Sequence, residues 1–464
     1  MSPFAASELR SAALVAVLLA LVLAAAEALR RTGQLEPEHS RKAVHVGTGL
    51  LVCAFPWLFA SPVTVGLLSA GFFGLLLFLR SRRLFSAVGD VGRRSVGELL
   101  FPAAVGLLFW LSHDRPAFYL ASLLVLVLPD AVAALVGRSY GRLLFEIEHG
   151  ERKSLEGSFM FFMLSFLVVF LPLLLMTDLP KGPLVLVALQ LAFIVACLEA
   201  ICVGGVDNLV IPLASYYVLI QTTRSDLLWI SAQLGIEALL VVVTLLLAWR
   251  GRILSVSGFL AAQLYLYGAF AYGDFACLLP PIAVYALFAL LRRPAGPRLR
   301  PAGFRAVSFF WVVAAPFALL LARNYLVVFG NGGPQALLVP LLPLLYAAAH
   351  GAGLACVGQV YRPRFSARLP LPLRPAAWPL AGAAAALVLA ALVAWVERSP
   401  AQAAAAGLGL AALVGAMAPL VQRLAGWDRL GTEAAGARAI GACMAASLGL
   451  ALLLRAAFSV GLQP

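Results

Sequence analysis

The segment from Glu38 to Gly49 (EHSRKAVHVGTG) brings two cations and a histidine together in a chain that is otherwise strongly apolar. On a helix, Arg41, His45 and Gly49 recur every four residues and share one face, with Lys42 beside them. Two cations above a histidine, next to a glycine that permits close approach, suit a phosphorylated substrate. The alternative is the basic flank of a membrane helix that also packs a histidine.

A second segment, 130–142 (DAVAALVGRSYGR), begins with a carboxylate inside a long apolar run. A carboxylate at membrane depth is costly unless it faces a cavity and binds a cation, so Asp130 is a candidate metal ligand. Gly137 and Gly141 would let the end of this helix approach phosphate groups closely. The alternative is a basic loop whose glycines serve only helix packing.

The chemistry of this segment continues into 153–158 (KSLEGS), which adds a lysine and a second carboxylate. Glu156 would share a magnesium ion with Asp130, because magnesium in phosphate sites takes one or two carboxylates together with phosphate oxygens. The Walker A pattern is absent, so the segment is not a P-loop. Three cations would neutralise a triphosphate: Arg138, Arg142 and Lys153.

A third segment combines Glu199, which lies inside an apolar run, with the sequence GGVDNLVIP at 204–212. Asp207 suits two roles, either as a second metal ligand or as the general base that accepts a hydroxyl proton. Asn208 would contact a phosphate or a ribose. The alternative for this pair is an Asp-Asn turn that caps a helix.

The elements that carry these segments follow from the composition. Of 464 residues, 62% are hydrophobic and only 12% are charged, which excludes an ordinary soluble protein. Apolar runs of about 17 to 25 residues are each long enough to cross a bilayer as a helix. We therefore predict an all-α, polytopic integral membrane helical bundle of roughly sixteen transmembrane helices. The predicted spans are 11–29, 43–60, 62–79, 98–112, 117–136, 156–176, 183–203, 209–223, 227–249, 253–272, 275–291, 306–329, 335–359, 376–396, 402–422 and 437–457.

The basic residues predict the orientation of these spans. Most of the 34 lysines and arginines fall between alternate spans, which places the N-terminus outside and all three segments on cytoplasmic loops. The first span lacks the flanks of a cleavable signal and is predicted to be a retained anchor. The net charge of +13 is spread over these loops, so no nucleic-acid partner is expected. High alanine, leucine and arginine usage suggests a bacterial inner membrane.

The polar residues at membrane depth suggest a division of the chain into two halves. They concentrate before residue 250, and beyond it we find no convergent acids or histidines. The sequence therefore predicts a catalytic membrane domain at 1–249 and an additional helical membrane domain of unassigned role at 250–464. The six cysteines show no metal-ligand or disulfide spacing and are expected to be small buried residues.

Together, the three segments resemble the integral-membrane, CTP-dependent polyprenol kinases. This is the family of phytol kinase and dolichol kinase, which is related to CTP:phosphatidate cytidylyltransferases. The resemblance rests on the strings at 38–49, 130–141, 153–158 and 207–212, and it extends over about residues 1–245. It implies phosphoryl transfer from CTP, with magnesium, to a membrane-embedded isoprenoid alcohol such as phytol, geranylgeraniol or a polyprenol. The products would be the prenyl monophosphate and CDP.

The resemblance and the residue chemistry together imply a role for each candidate. The magnesium ligands would be drawn from four carboxylates: Asp130, Glu156, Glu199 and Asp207. The nucleotide would be held by Arg41, Lys42, Gly137, Arg138, Gly141, Arg142, Lys153, Ser154 and Asn208. The catalytic set would be Asp130, Lys153, Glu156, Asp207 and His45. Within that set, Asp207 would orient or deprotonate the lipid hydroxyl.

Two other functions fit the same residues. A cytidylyltransferase would join CMP to a lipid phosphate, and would therefore label the lipid from the α-phosphate of CTP rather than from the γ-phosphate. A transporter of lipid intermediates would explain many spans and buried carboxylates without any nucleotide. The insert at 143–152 (LLFEIEHGER) also departs from the expected pattern, because it is acidic where a phosphate-facing loop would be basic.

Overall fold

The computed structural model of the chain describes residues 3–32, 37–82, 96–147, 151–251, 254–291 and 305–329, together with 346, 349 and 350. The predicted spans at 376–396, 402–422 and 437–457 lie outside the described residues, as does nearly all of 335–359. The chain divides into two compact units, Met1–Ile236 and Glu237–Pro464. All three segments singled out from the sequence belong to the first unit.

Helices make up most of the described first unit, as expected where backbone groups must be satisfied inside a membrane. They are α1 (Pro3–Arg31), α2 (Pro37–Cys53), α3 (Phe55–Leu58), α4 (Pro62–Arg82), α5 (Gly97–Ser112), α6 (Pro116–Tyr140), α7 (Leu155–Met176), α8 (Lys181–Ile201), α9 (Asp207–Thr223) and α10 (Leu227–Gly251). Helix α10 continues into the second unit, which also contains α11 (Val256–Leu291) and α12 (Ala306–Phe329). Prolines open α2, α4 and α6, where the first N–H has no helical partner to lose.

Six of the described helices are long and apolar enough to cross a membrane: α1, α4, α6, α7, α8 and α10. This finding supports the predicted helical membrane architecture, whereas the predicted count of roughly sixteen spans is not confirmed. Helix α5 is apolar but has only 16 residues. Large side chains such as Leu175 and Leu228 stay 77% and 79% exposed, as lipid-facing residues would be.

In the second unit, the prediction of two separate spans between 253 and 291 is wrong. Residues 256–291, which cover most of the two predicted spans at 253–272 and 275–291, form a single helix, α11, of 36 residues. The glycine and aspartate at 273–274 keep their backbone N–H groups, so the helical hydrogen bonds can run through them.

The predicted span at 43–60 is also divided differently. Helix α2 ends at Cys53, and α3 follows as one short turn with Pro56 near its start. Proline has no N–H to donate to the carbonyl of Val52. That carbonyl instead accepts a hydrogen bond of 2.9 Å from the buried Tyr119 hydroxyl of α6. The break in the helix therefore becomes a contact between α2 and α6.

A β-hairpin interrupts the helices, so the predicted all-α class is wrong at this point. Strand β1 (Leu144–Glu146) pairs antiparallel with β2 (Arg152–Ser154), and Phe145 lies opposite Lys153. Phe145 and Ile147 are buried while Leu144 is exposed, which is the alternation of a strand with one buried face. Strand β1 lies within the acidic insert at 143–152, and β2 begins at the last residue of the insert and leads directly into α7.

Glycines bring α6 and α7 into close contact. A Cβ atom on Gly157 would lie 3.0 Å from the carbonyl oxygen of Ala133 and 3.3 Å from Gly137 Cα. A Cβ atom on Gly141 would lie 2.8 Å from Ser154 Cβ. Small residues allow helix backbones to approach in this way. Gly137 and Gly141 were predicted to let phosphate groups approach. In this structure, Ser154 and α7 occupy the space next to these glycines.

Gly49 likewise allows α2 and α6 to approach closely. A Cβ atom at this position would lie 2.7 Å from Val127 Cγ1. We expect Gly49→Ala to destabilise the protein by about 1–3 kcal/mol, because overpacking outweighs the better helix propensity of alanine. The measurement is the thermal unfolding midpoint in detergent.

Gly66→Ala is the matched control, because a Cβ atom on Gly66 of α4 would meet nothing within 4 Å. Adding Val127→Ala to Gly49→Ala should recover part of the lost stability, since it removes the clashing methyl groups. A Gly49→Ala protein that unfolds at the wild-type temperature would contradict the close contact of α2 with α6.

Candidate functional site

Lys42 and Asp130 form the first of two buried ion pairs. Lys42 lies on α2, and Asp130 lies on α6 directly after a proline. The Lys42 ammonium donates to Asp130 Oδ2 and, at 3.3 Å, to the main-chain carbonyl of the same residue. The two side chains are only 11% and 18% exposed. An unpaired charge would be costly in such surroundings, so each of the two charges depends on the other.

His45 lies one turn beyond Lys42 on α2, on the side that faces Asp130. Its Nε2 atom lies 3.9 Å from Asp130 Oδ2 and 3.3 Å from the carbonyl oxygen of Leu126. Leu126 lies four residues before Asp130 on α6, so both contacts of His45 lie on one face of that helix. The imidazole also packs edge-on against Phe101 of α5, with 5.5 Å between ring centroids. His45 thus joins α2, α5 and α6 beside Asp130.

Lys153 and Glu199 form the second ion pair. Lys153 Nζ lies 2.6 Å from Glu199 Oε1 and also donates to the main-chain carbonyl of Glu199. Glu199 lies in the last turn of α8, where carbonyl groups lack helical partners and the helix dipole favours a cation. The ammonium therefore satisfies both a carboxylate and the end of a helix.

The charge state of Lys153 follows from these surroundings. Burial alone would lower the pKa of Lys153, but the carboxylates of Glu199 and Asp207 outweigh burial, and the pKa is raised above its ordinary value. Lys153 therefore stays protonated at neutral pH. Its side chain is 23% exposed, compared with 10% for that of Glu199.

A glycine turn places Asp207 at the start of α9. Gly204 and Gly205 adopt positive φ angles of 67° and 86°, which glycine alone adopts without strain. The turn docks on the start of α5, where Val96 N donates to Gly204 O at 2.9 Å. Asn208 Nδ2 donates to Gly97 O at 2.8 Å. The amide nitrogen of Asn208, a predicted nucleotide contact, is therefore engaged in joining α9 to α5.

The four cysteines that the structure describes behave as small apolar residues. Cys53, Cys197 and Cys277 are buried, and Cys202 is partly exposed. Burial and the nearby Asp207 carboxylate raise the pKa of Cys202 to about 12, so its thiol stays protonated and is a poor nucleophile. Although Cys202 adjoins the site, it is no candidate for covalent catalysis.

Ser154 and Glu156 have local structural partners. Ser154 caps α7 by accepting a hydrogen bond of 3.1 Å from Gly157 N. Glu156 Oε1 accepts hydrogen bonds from the main-chain amides of Arg142 and Leu143, at 3.0 and 3.1 Å. The structure thus pairs Asp130 with a lysine and places the Glu156 carboxylate on the turn that follows α6. Two predicted phosphate contacts, Arg138 and Arg142, are exposed near this turn.

The structure brings six of the predicted residues into one charged cluster. Asp130 interacts electrostatically with Lys153 as well as Lys42, and Lys153 interacts with both Glu199 and Asp207. Within the described part of the chain, no group of three or more His, Cys, Asp or Glu residues is arranged to hold a metal ion by itself. The cluster, which we call the lysine–carboxylate cluster, consists of Lys42, His45, Asp130, Lys153, Glu199 and Asp207.

Sequence reasoning missed several buried polar groups. Glu8 and Glu237 interrupt apolar runs, a signal that was available in the sequence. Gln190 Nε2 and Gln233 Oε1 pair at 3.2 Å between α8 and α10, and a neutral amide gives little sequence signal. In the second unit, the hydroxyl of Tyr265 lies 2.7 Å from the imidazole of His350 and 3.1 Å from the hydroxyl of Tyr346. Tyr265 lies 81 and 85 residues from these two partners, so no local pattern reveals the contact.

The fold and the site define a helical membrane protein with lysines and carboxylates clustered where several helices begin and end. A protein of Synechocystis sp. named phytol kinase is 36% identical to this chain over 206 residues, which are 44% of this chain and 87% of the relative. The chain therefore belongs to the phytol kinase family. No protein-family model matches the chain, and no solved structure matches it.

Proposed function

We propose that this protein is a lipid kinase that transfers the γ-phosphoryl group of CTP to a membrane-embedded isoprenoid alcohol. The observation that carries the proposal is the lysine–carboxylate cluster, held among apolar helices in a chain related to a protein named phytol kinase. Phosphoryl transfer asks a protein mainly to position its reactants and to neutralise charge, and this cluster suits both tasks.

The two lysines are the proposed phosphate contacts. Each ammonium carries three donors, and two are engaged with a single acidic residue, Asp130 for Lys42 and Glu199 for Lys153. The third donor of each lysine would bind a phosphate oxygen. Arg41, which precedes Lys42 on α2, would extend this positive edge toward the water.

The carboxylates fit a magnesium ion by their chemistry, since magnesium in phosphate sites needs only one or two carboxylates besides phosphate oxygens. Asp130 would hold the ion. Asp207 has no ion-pair partner within 4.0 Å among the described residues and is left to act on the acceptor. Magnesium, when bound, would help to neutralise the negative charge of the phosphates. Glu156, in the first turn of α7, remains a predicted ligand whose carboxylate would have to leave the main-chain amides of Arg142 and Leu143.

In the transfer to the lipid, Asp207 would act on the hydroxyl group of the alcohol. The hydroxyl oxygen of the alcohol would attack the γ-phosphorus, the bond from that phosphorus to the bridging oxygen would break, and CDP would leave. The hydroxyl proton would pass to Asp207 at the start of α9. The apolar tail would lie along the exposed apolar surfaces of the helices, and the basic loops favour a cytoplasmic position for the reaction, in a bacterial inner membrane.

The test is lipid labelling by the purified full chain. We would supply magnesium, CTP labelled at either the γ- or the α-phosphate, and phytol, geranylgeraniol or a longer polyprenol. We expect label to enter the extracted lipid from the γ-phosphate only, and the preferred alcohol to be the one labelled fastest.

Two other results would each replace this proposal. Label from the α-phosphate, with a lipid phosphate as acceptor, would indicate a cytidylyltransferase. Absence of label from either position, together with no binding of CTP, would favour transport of a lipid intermediate.

A further inference from the structure

The contact between Lys153 and Glu199 is fixed at both ends. The ammonium is held by Oε1 and by the main-chain carbonyl of Glu199, which is 7% exposed. The backbone of Lys153 is held by β2, where it pairs with the buried Phe145, and the next residue caps α7. A long flexible side chain is thus confined to one position before any substrate binds, and the entropy of confining it is lost during folding rather than on binding.

Glu199 is more enclosed than Asp130, which has a similar lysine contact, and unlike Asp207 it is paired with a lysine. Its side chain is only 10% exposed, compared with 18% for Asp130. Asp207 has no lysine within ion-pair distance among the residues that the structure describes. In addition, Glu199 lies at the negative end of α8, where the same ammonium also satisfies its carbonyl. A metal ion at Glu199 would have to displace Lys153 from both of these contacts.

We propose that Glu199 is a positioning residue for Lys153, holding its ammonium where the remaining donor meets the nucleotide phosphates, and that Glu199 is not a magnesium ligand. This inference rests on the proposed function, because it assumes that the cluster binds a nucleotide. It also divides the carboxylates of the cluster by task. Glu199 serves the lysine, while Asp130 and Asp207 serve the metal ion and the acceptor.

The test compares Glu199→Gln, Lys153→Gln and the double variant in the full chain. Two quantities are measured: the affinity for CTP in saturating magnesium, and the magnesium concentration that gives half-maximal phosphoryl transfer. We expect each single variant to weaken CTP binding by about tenfold or more, because a charge-assisted contact to phosphate is lost or misplaced. The double variant should bind CTP no more weakly than either single variant, since both remove the same interaction.

Magnesium separates the positioning role from a ligand role. We expect the half-maximal magnesium concentration of Glu199→Gln to stay within about twofold of the wild type, because its metal ligands are intact. Glu237→Gln, a matched change at another buried glutamate, is the control and should alter neither quantity. Thermal unfolding of every variant shows whether the protein has folded.

Several results would overturn the inference. One is a rise of tenfold or more in the magnesium requirement of Glu199→Gln, about the loss expected for a missing ligand group, with CTP binding restored by excess magnesium. Another is an additive loss in the double variant. If Glu199→Gln does not fold, Lys153→Gln decides alone, and unchanged CTP binding in that variant rejects the inference. A wild-type protein that neither binds CTP nor uses it would reject the proposed function itself, a different result from all of these.

Discussion

Asp130→Asn is expected to reduce phosphoryl transfer from CTP by about 10²–10³-fold or more, the usual scale for removing one preorganised electrostatic contact from a transition state. The substitution removes the negative charge while leaving an oxygen that can still accept a hydrogen bond from Lys42. The protein should therefore fold, but lose a metal ligand and the charge that orients the lysine. The measurement is the initial rate of γ-phosphate transfer to the lipid at saturating magnesium and CTP.

Asp178→Asn provides the matched control. Asp178 is exposed in the loop after α7, at the opposite end of that helix from Ser154, and the same change of charge there should leave the rate unaltered. An Asp130→Asn protein that transfers phosphate at the wild-type rate would remove Asp130 from the catalytic set.

The helical membrane architecture could be predicted because it depends on local composition. An apolar run of sufficient length forms a helix in a membrane whatever its neighbours are, since no other structure satisfies its backbone there. Four predicted spans, at 117–136, 156–176, 183–203 and 209–223, correspond closely to α6, α7, α8 and α9. The hairpin was missed because its strands have three residues each, too short for a periodic pattern.

The residue types of the site were predictable, but their pairing was not. A charged residue inside an apolar run identifies itself, which is why Asp130 and Glu199 stood out. Their lysine partners lie 88 and 46 residues away in sequence, and only the packing of helices brings them together. Sequence reasoning therefore assigned Lys42 to the nucleotide and did not predict its contact with Asp130.

The partners of the glycines could not be predicted from the sequence either. Gly137 and Gly141 signal a close approach, but a sequence cannot say whether the approaching group is a phosphate or another backbone. The structure shows Ser154 and α7 in that space. Under the proposed function, the phosphates of the nucleotide are therefore assigned to the lysine–carboxylate cluster rather than to the end of α6.

Lys42→Met is expected to affect stability and activity together. Removing the ammonium leaves the Asp130 carboxylate largely buried and uncompensated, which costs about 3–5 kcal/mol when one partner of a buried pair is lost. Phosphoryl transfer should fall by about 100-fold or more, because a phosphate contact is lost as well. Thermal unfolding in detergent and the rate of lipid labelling measure the two effects.

A second substitution separates these two effects. Adding Asp130→Asn to Lys42→Met removes the uncompensated charge, so most of the lost stability should return. Activity should not return, since both a phosphate contact and a metal ligand are then missing. Lys181→Met, at the exposed start of α8, is the matched control and should change neither quantity. Recovery of activity together with stability would mean that Lys42 and Asp130 only hold α2 against α6, and that the chemistry belongs to other residues of the cluster.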